Sequence, residues 1–239
     1  MKTIKPILAV LLCAFNPTFL LGQTPDRPTI SNTVFTLPDG ETVTYGLAVP
    51  TGDGPHPMIL ALHPGGARTA YYGSSFMRGI VLPALHNWNA VIVAPDAPTR
   101  SWATEVSEQR VSALIENVMH RFPIDRRRIL VTGFSLGGRG TWFFASQRPD
   151  LFTGAIPIAG ATGDDLPENL SRIPIHIIHS QDDEVVPYGP TAETIRTLKS
   201  RGYNIVSTEL DGIGHFTMSA YIDPLRRAGE WMMKQWKRD

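Results

Sequence analysis

Ser135 is the residue from which a chemical argument can start. It stands at the centre of Gly133-Phe134-Ser135-Leu136-Gly137, within the stretch RILVTGFSLGGRGTW that runs from Arg128 to Trp142. Chance alone produces Gly-x-Ser-x-Gly in roughly one chain in ten of this size, so the surroundings must decide. Here a continuous apolar run precedes the serine and a helix-forming run follows it. A serine on so tight a strand-to-helix corner needs residues without bulk two places away on each side, and its hydroxyl is lifted above the sheet. The same corner places the Leu136 amide at a helix N-terminus, where partial positive charge favours a developing oxyanion. Serine is also a preferred helix N-cap; the strand–turn–helix context favours a nucleophile.

A serine hydroxyl is a weak nucleophile and needs a base held close to it. His215, in the Gly-rich stretch DGIGHF, follows the last predicted strand and precedes the last predicted helix. A carboxylate to orient it is offered by Asp182, Asp183 or Glu184, in a loop after an earlier strand, and spacing does not choose among the three. The chain order serine, acid, histidine is one of three known for such constellations. A second oxyanion donor is expected from Gly65 or Gly66, because glycine lets backbone approach a substrate and Pro64 has no amide hydrogen. His63 reads as a hydrogen-bonding prop for that loop. His176 and His179 are three apart on a strand and so face opposite ways, which keeps them from sharing a metal. His56, His86 and His120 read as loop or helix-surface residues. Among the aromatics, Trp102 is the candidate for substrate contact, because it follows a strand at the active end of the sheet. Tyr71, Tyr72 and Trp88 read as packing residues.

The elements that must position these groups alternate. Thr33 to Pro50 holds two β-rich runs around Pro38-Asp39-Gly40, a hairpin signal. MILALHP, AVIVAP and RILVTGF are continuously apolar and read as strands covered on both faces. FTGAIPIAG, IPIHIIHS and YNIVSTEL read as further strands. Helical spacing marks the stretch around Val111, Leu114, Ile115 and Val118, the run after Ser135, TAETIRTLKSR up to Gly202, and the final AYIDPLRRAGEWMMKQW. Arg126-Arg127-Arg128 reads as a solvated loop. Alternation of this kind predicts an α/β fold with a mostly parallel, doubly wound sheet preceded by an N-terminal hairpin. Ligands of such sheets bind beyond the carboxyl ends of the strands.

Composition narrows the function. The chain has 239 residues, with 22 Lys plus Arg against 22 Asp plus Glu, and so lacks the electrostatic signature of a nucleic-acid binder. Residues 1–22 read as a signal peptide: Lys2 and Lys5, the apolar run Ile7 to Phe15, a break at Asn16-Pro17, and small Gly22 near the cleavage point. That segment is too short and broken to span a bilayer as a helix. The single cysteine, Cys13, lies inside it, so the processed chain is expected to carry no disulfide. Residues 23–32 read as a leader and 33–239 as the catalytic domain. The expected location is secreted or periplasmic, without stable membrane insertion; oligomeric state is not legible.

With these residues in place, the chain resembles the α/β-hydrolase superfamily. More narrowly, it is similar to single-domain secreted esterases related to feruloyl and acetyl-xylan esterases, polyhydroxybutyrate depolymerases, dienelactone hydrolases and predicted peptidases. GFSLGGRGTW, PDLFTGAIPIAG, IPIHIIHSQDDEVVP and GIGHF carry the resemblance, in the family's order. The resemblance implies Ser135, Asp183 and His215 as the catalytic residues, with Asp183 four residues before Pro187. It implies Leu136 and Gly65 as oxyanion donors, although Pro64 stands where related loops usually have glycine. It implies an ester substrate, small or polymeric, and no metal or organic cofactor. About a dozen residues, Ala161 to Arg172, lie where lipase-like relatives place a lid, so no lid domain is expected. A serine peptidase of the same fold, or an inactive hydrolase-fold binding protein, are the alternatives.

Overall fold

The carboxyl ends of six parallel strands, lying along one edge of one sheet, supply the loops of interest. A computed structural model describes residues 28–66, 69–163 and 170–237. The expected signal peptide, 1–22, lies outside the described residues, as does the first half of the leader, 23–27. In chain order come β1 (Ile30–Thr36), β2 (Thr42–Ala48), β3 (His56–Leu62), α1 (Tyr72–Phe76), a π-helical turn (Met77–Val81), α2 (Leu82–Leu85), β4 (Val91–Pro95) and α3 (Glu105–Arg121). They are followed by β5 (Ile124–Phe134), α4 (Leu136–Gln147), β6 (Gly154–Ile158), β7 (Ile175–Ser180), α5 (Tyr188–Ser200), β8 (Ile205–Leu210) and α6 (Ile222–Gln235). The sheet order is β1-β2-β4-β3-β5-β6-β7-β8. β1 and β2 form the predicted antiparallel hairpin, turned at Gly40 with φ +86°, and β2 joins the parallel strands by pairing with β4. β1 starts at Ile30, three residues inside the stretch read as leader.

β3, β4, β6 and β7 are buried at every position, which is why their sequences do not alternate. Alternation shows instead in which face each residue serves. Met58, Leu60 and Leu62 meet α3, α4 and α5, while Ile59 and Ala61 meet α1, α2 and α6. Helices therefore cover both faces, as doubly wound folds require. α3 begins at Thr104, whose hydroxyl accepts the Ser107 amide, and carries Glu105 and Glu108 in its first turn, matching the helix dipole.

Two local expectations change. Arg126 to Arg128 are not a loop but the opening of β5, where Asp125 accepts from Arg127 at 3.3 Å and Arg128 at 2.8 Å. Long guanidinium side chains reach solvent from a strand as easily as from a loop. His56 is buried rather than superficial, its ring nitrogens bonded to the carbonyls of Asn89 at 3.1 Å and Gly52 at 3.2 Å. The stretch read as too short for a lid includes residues 164–169, outside the described residues. Among the described residues no helix is long and apolar enough to cross a membrane.

His176 and His179 do face opposite sides of β7. His176 stacks edge-on against Trp231 of α6, with ring centroids 5.3 Å apart, while His179 bonds Thr191 of α5. Burial, with a smaller contribution from Arg227, pushes the His176 imidazole down to about 4. Between that value and the ordinary one near 6.5, the unfolded chain binds a proton that the native chain refuses. Stability is therefore full above pH 6.5 and is lost as pH falls toward 4, with a slope from this residue of up to about 1.4 kcal/mol per pH unit. Urea unfolding at a series of pH values is expected to show a shallower acid limb in His176→Gln than in the parent; identical limbs would contradict this.

Candidate active site

β5 ends at Phe134 and α4 begins at Leu136, so Ser135 alone makes the turn. Its φ is +56° and its ψ −115°, a conformation that costs a non-glycine residue of order 1–3 kcal/mol and persists only where packing enforces it. The packing is visible. The Ser135 amide donates to the Ile158 carbonyl of β6 at 2.9 Å, and its own carbonyl accepts from Arg139 at 3.0 Å. Leu62 of β3 pairs opposite Gly133, which presses the start of α4 onto the end of β3. A Cβ on Gly137 would overlap the Leu62 carbonyl, and one on Gly133 would fall 2.6 Å from that same oxygen. Both glycines are required by close approach.

His215 comes from the loop after β8, and its Nε2 lies 2.8 Å from the Ser135 Oγ. Its Nδ1 lies 2.7 Å from the Asp183 Oδ2. Asp183 is buried, and burial alone would push its carboxyl up. The bond from His215 and the amides of Val186 and Val185 outweigh that and hold it below the usual range. The acid is thus an acceptor only, so Nδ1 carries the proton and Nε2 offers a lone pair to the serine hydroxyl. The arrangement can take the Ser135 proton and stabilise the resulting imidazolium.

The loop after β3 approaches from the other side. Gly65 packs against Leu136, a Cβ on it falling 3.7 Å from the Leu136 side chain. The Leu136 amide is the first of α4 and has no intrahelical carbonyl to bond. A cavity of about 710 Å³ opens beside these two residues and is also lined by Tyr72, Asp96, Ala97 and Arg100. His63 props the loop: its Nε2 accepts the Ala97 amide at 3.0 Å, leaving Nδ1 to donate to the Pro64 carbonyl at 2.6 Å. Burial lowers its pKa, in keeping with a neutral ring.

Trp102 does not line the site. It is wholly buried, with its indole N–H donating to the His63 carbonyl at 3.0 Å and its ring against the His63 imidazole. Its place in the chain is at the active end of the sheet, but an indole there fills the core behind the loop. Trp88 is a packing residue, against Trp236. Tyr72, read as packing, lies on the cavity wall.

Local patterns did not announce the roles of four other residues. Asp96, at the end of β4, accepts from the Thr44 hydroxyl at 2.6 Å and from the Tyr71 and Gly73 amides at 2.6 and 2.8 Å, pinning the start of α1. His179 stands behind the acid: its Nε2 donates to the Val186 carbonyl at 2.9 Å and lies 3.4 Å from the Asp183 Oδ2. Burial lowers its pKa and keeps it neutral, so Asp183 faces two imidazoles of which one is a fixed donor. Asp182 and Glu184 accept the amides of Gly212 at 2.6 Å and His215 at 2.9 Å. The last two stood beside Asp183 as candidates for the orienting acid, and the structure gives them backbone amides instead. Among the described residues no group of three or more His, Cys, Asp or Glu is arranged to hold a metal ion.

Comparison with known proteins agrees with this architecture. A family model described as Phospholipase/Carboxylesterase matches residues 85–226, more than half of the chain. Cutinase 2 of Thermobifida cellulosilytica is 40% identical over 102 residues, which are 40% of this chain and 36% of the cutinase. The crystal structure of a thermostable esterase superposes with a TM-score of 0.72 at 28% identity, over 86% of this chain and 62% of that one. The substrate-bound structure of FphF, a fluorophosphonate-binding serine hydrolase of Staphylococcus aureus, shares the fold with a TM-score of 0.70 at 15% identity, over 86% of this chain and 98% of that one. The chain thus spans little more than a third of the length of that cutinase. The α/β-hydrolase fold read from the sequence is the fold observed.

Alanine at Gly137 would drive a methyl group into backbone rather than into a yielding side chain. Gly137→Ala is expected to lose at least about 3 kcal/mol, read as a drop in the urea midpoint, or to fail to fold. A parent-like midpoint would show that β3 and α4 are not in contact as described.

Proposed function

The chain belongs to the phospholipase/carboxylesterase family, and we propose that it is an exported serine esterase that cleaves carboxylic esters through an acyl-enzyme. The observation that carries this reading is the hydrogen-bonded chain from Ser135 to His215 to Asp183, at 2.8 and 2.7 Å, built on a backbone turn with positive φ. The Ser135 Oγ attacks the ester carbonyl as its proton passes to the His215 Nε2. Negative charge on the former carbonyl oxygen is met by the Leu136 and Gly65 amides. The carbon–oxygen bond to the alcohol then breaks, and the alcohol departs with the proton from His215. Water gives a proton to His215 and attacks the acyl group, and the acid leaves as Ser135 regains its hydrogen. Asp183 stays ionised throughout and holds the ring.

The names of the relatives, cutinase and esterase, support an ester substrate. The cavity beside the oxyanion amides supports an acyl or alcohol group of some bulk. Together with the expected signal peptide, these favour polymeric esters outside the cell, plant polysaccharide esters among them.

A fluorophosphonate probe is expected to label the protein, with labelling lost in Ser135→Ala. Hydrolysis of p-nitrophenyl acetate is expected to fall by roughly 10⁴-fold or more in Ser135→Ala and His215→Gln, and by about 10³- to 10⁴-fold in Asp183→Asn. Folded protein that neither labels nor cleaves this ester would overturn the reading. Cleavage of peptide p-nitroanilides in preference to p-nitrophenyl acetate, methyl ferulate and acetylated xylan would replace it with a peptidase.

A further inference from the structure

Three consecutive acids, Asp182, Asp183 and Glu184, all bond one short loop. The Asp182 carboxylate accepts the Gly212 amide at 2.6 Å, Asp183 accepts from the His215 ring at 2.7 Å, and Glu184 accepts the His215 amide at 2.9 Å. An extended strand could not do this, because neighbouring side chains would point to opposite faces. The segment is instead folded back by the Asp183 Oδ1, which accepts from both Val185 and Val186 at 3.0 and 2.7 Å. Asp183 is buried, whereas Asp182 and Glu184 are exposed. The outer pair therefore contribute nothing to the core, yet each spends its charge on a backbone amide of the loop that carries the histidine.

That loop has other restraints too: the Thr217 amide donates to the Gly214 carbonyl at 3.0 Å, Ile213 packs against the core and the His215 ring lies against Phe134. The loop leaves β8 where the Leu210 carbonyl accepts the Gln181 amide at 2.8 Å. It then turns through Gly212, at φ +69°, and two of its glycines flank Ile213. Gly214 lies so close to Glu184 that a Cβ there would be 3.1 Å from the carboxylate. A glycine-rich loop left free would let the imidazole wander. Charge-assisted bonds to the amide of His215 itself and to a residue three before it fix both the anchor of the side chain and the path into it.

We propose that Glu184 and Asp182 are positioning residues for His215, forming with Asp183 a three-point acidic clamp, Glu184 acting through the His215 amide. The clamp rests on the reading of His215 as the base. Neither outer carboxylate touches Ser135 or the reacting atoms. Removing one leaves substrate binding in place and loosens the geometry of proton transfer, where a displacement of about 1 Å can cost on the order of a hundredfold.

The test uses the full chain and compares Glu184→Ala, Glu184→Gln, Asp182→Ala and Asp182→Asn. Glu184→Ala is expected to lower kcat for p-nitrophenyl acetate, and the rate of fluorophosphonate labelling, about tenfold, with KM within about twofold. Glu184→Gln keeps an acceptor oxygen and is expected to recover to within about threefold of the parent. Amide hydrogen exchange in residues 211–216 is expected to accelerate in Glu184→Ala while β5 and α4 keep their protection. Parent-like kcat in Glu184→Ala, Gln no better than Ala, or unchanged exchange in the loop would each overturn the clamp. Should Glu184→Ala not fold, the Asp182 pair reads the same contrast at the other end of the loop. A parent protein without labelling or turnover would defeat the esterase reading instead, and the exchange measurement alone would then judge the clamp.

Discussion

The pairing that sets Leu62 of β3 opposite Gly133 of β5 is the contact on which the site depends. It brings the ends of two parallel strands level, so the chain leaving each must turn in the same small space. One turn is the corner at Ser135; the other is the loop holding Gly65. Because the two strands are neighbours, Gly65 is brought against the Leu136 side chain. The cost is steric. Nothing larger than hydrogen fits at Gly133 or Gly137, and Ser135 must adopt a positive φ. That strain is held by a rigid surround: β3 on one side, and on the other β6, whose Ile158 carbonyl takes the Ser135 amide.

The remaining two groups reach the serine from the far half of the sheet. Asp183 follows β7 and His215 follows β8, and those strands are themselves adjacent. Burial works against an ionised acid in this position. The acid stays charged because every direction around it offers a donor: two amides of its own turn, the His215 ring, and at longer reach His179. His179 is held neutral by its own burial, so it can only complement the acid and not replace the base. The Tyr221 hydroxyl, raised to about 12 by burial and by the nearby Asp183 and Glu184 carboxylates, keeps its proton in the wall behind them.

The Gly65 side of the site is supported by two buried polar side chains, His63 and Trp102, and by the part-buried Asp96. His63, Trp102 and Asp96 tie the loop after β3 to the ends of β4 and β3, and each finds hydrogen-bond partners. Buried polar groups with partners specify one loop conformation, where apolar packing alone would tolerate several. These bonds hold the loop that brings Gly65 against Leu136.

Much of this was legible in the residues. Continuous apolar runs announced β3, β4 and β5, helical spacing announced α3 and α6, and the order of Ser135, an acid and His215 announced both the fold and the end of the sheet at which they meet. Those features are local: a period of two or of 3.6 and a glycine-flanked turn are written in neighbouring residues. What lay beyond reading were the contacts between residues distant in sequence. Trp102, Asp182, Glu184 and His179 owe their roles to strand order and register, not to their neighbours in the chain. An indole after a strand looks the same whether it faces solvent or fills the space behind His63. Three adjacent acids look equivalent until the fold places His215, 32 residues after Asp183, within reach of that side chain. Local pattern carries conformation and polarity; partner identity exists only once distant segments are packed.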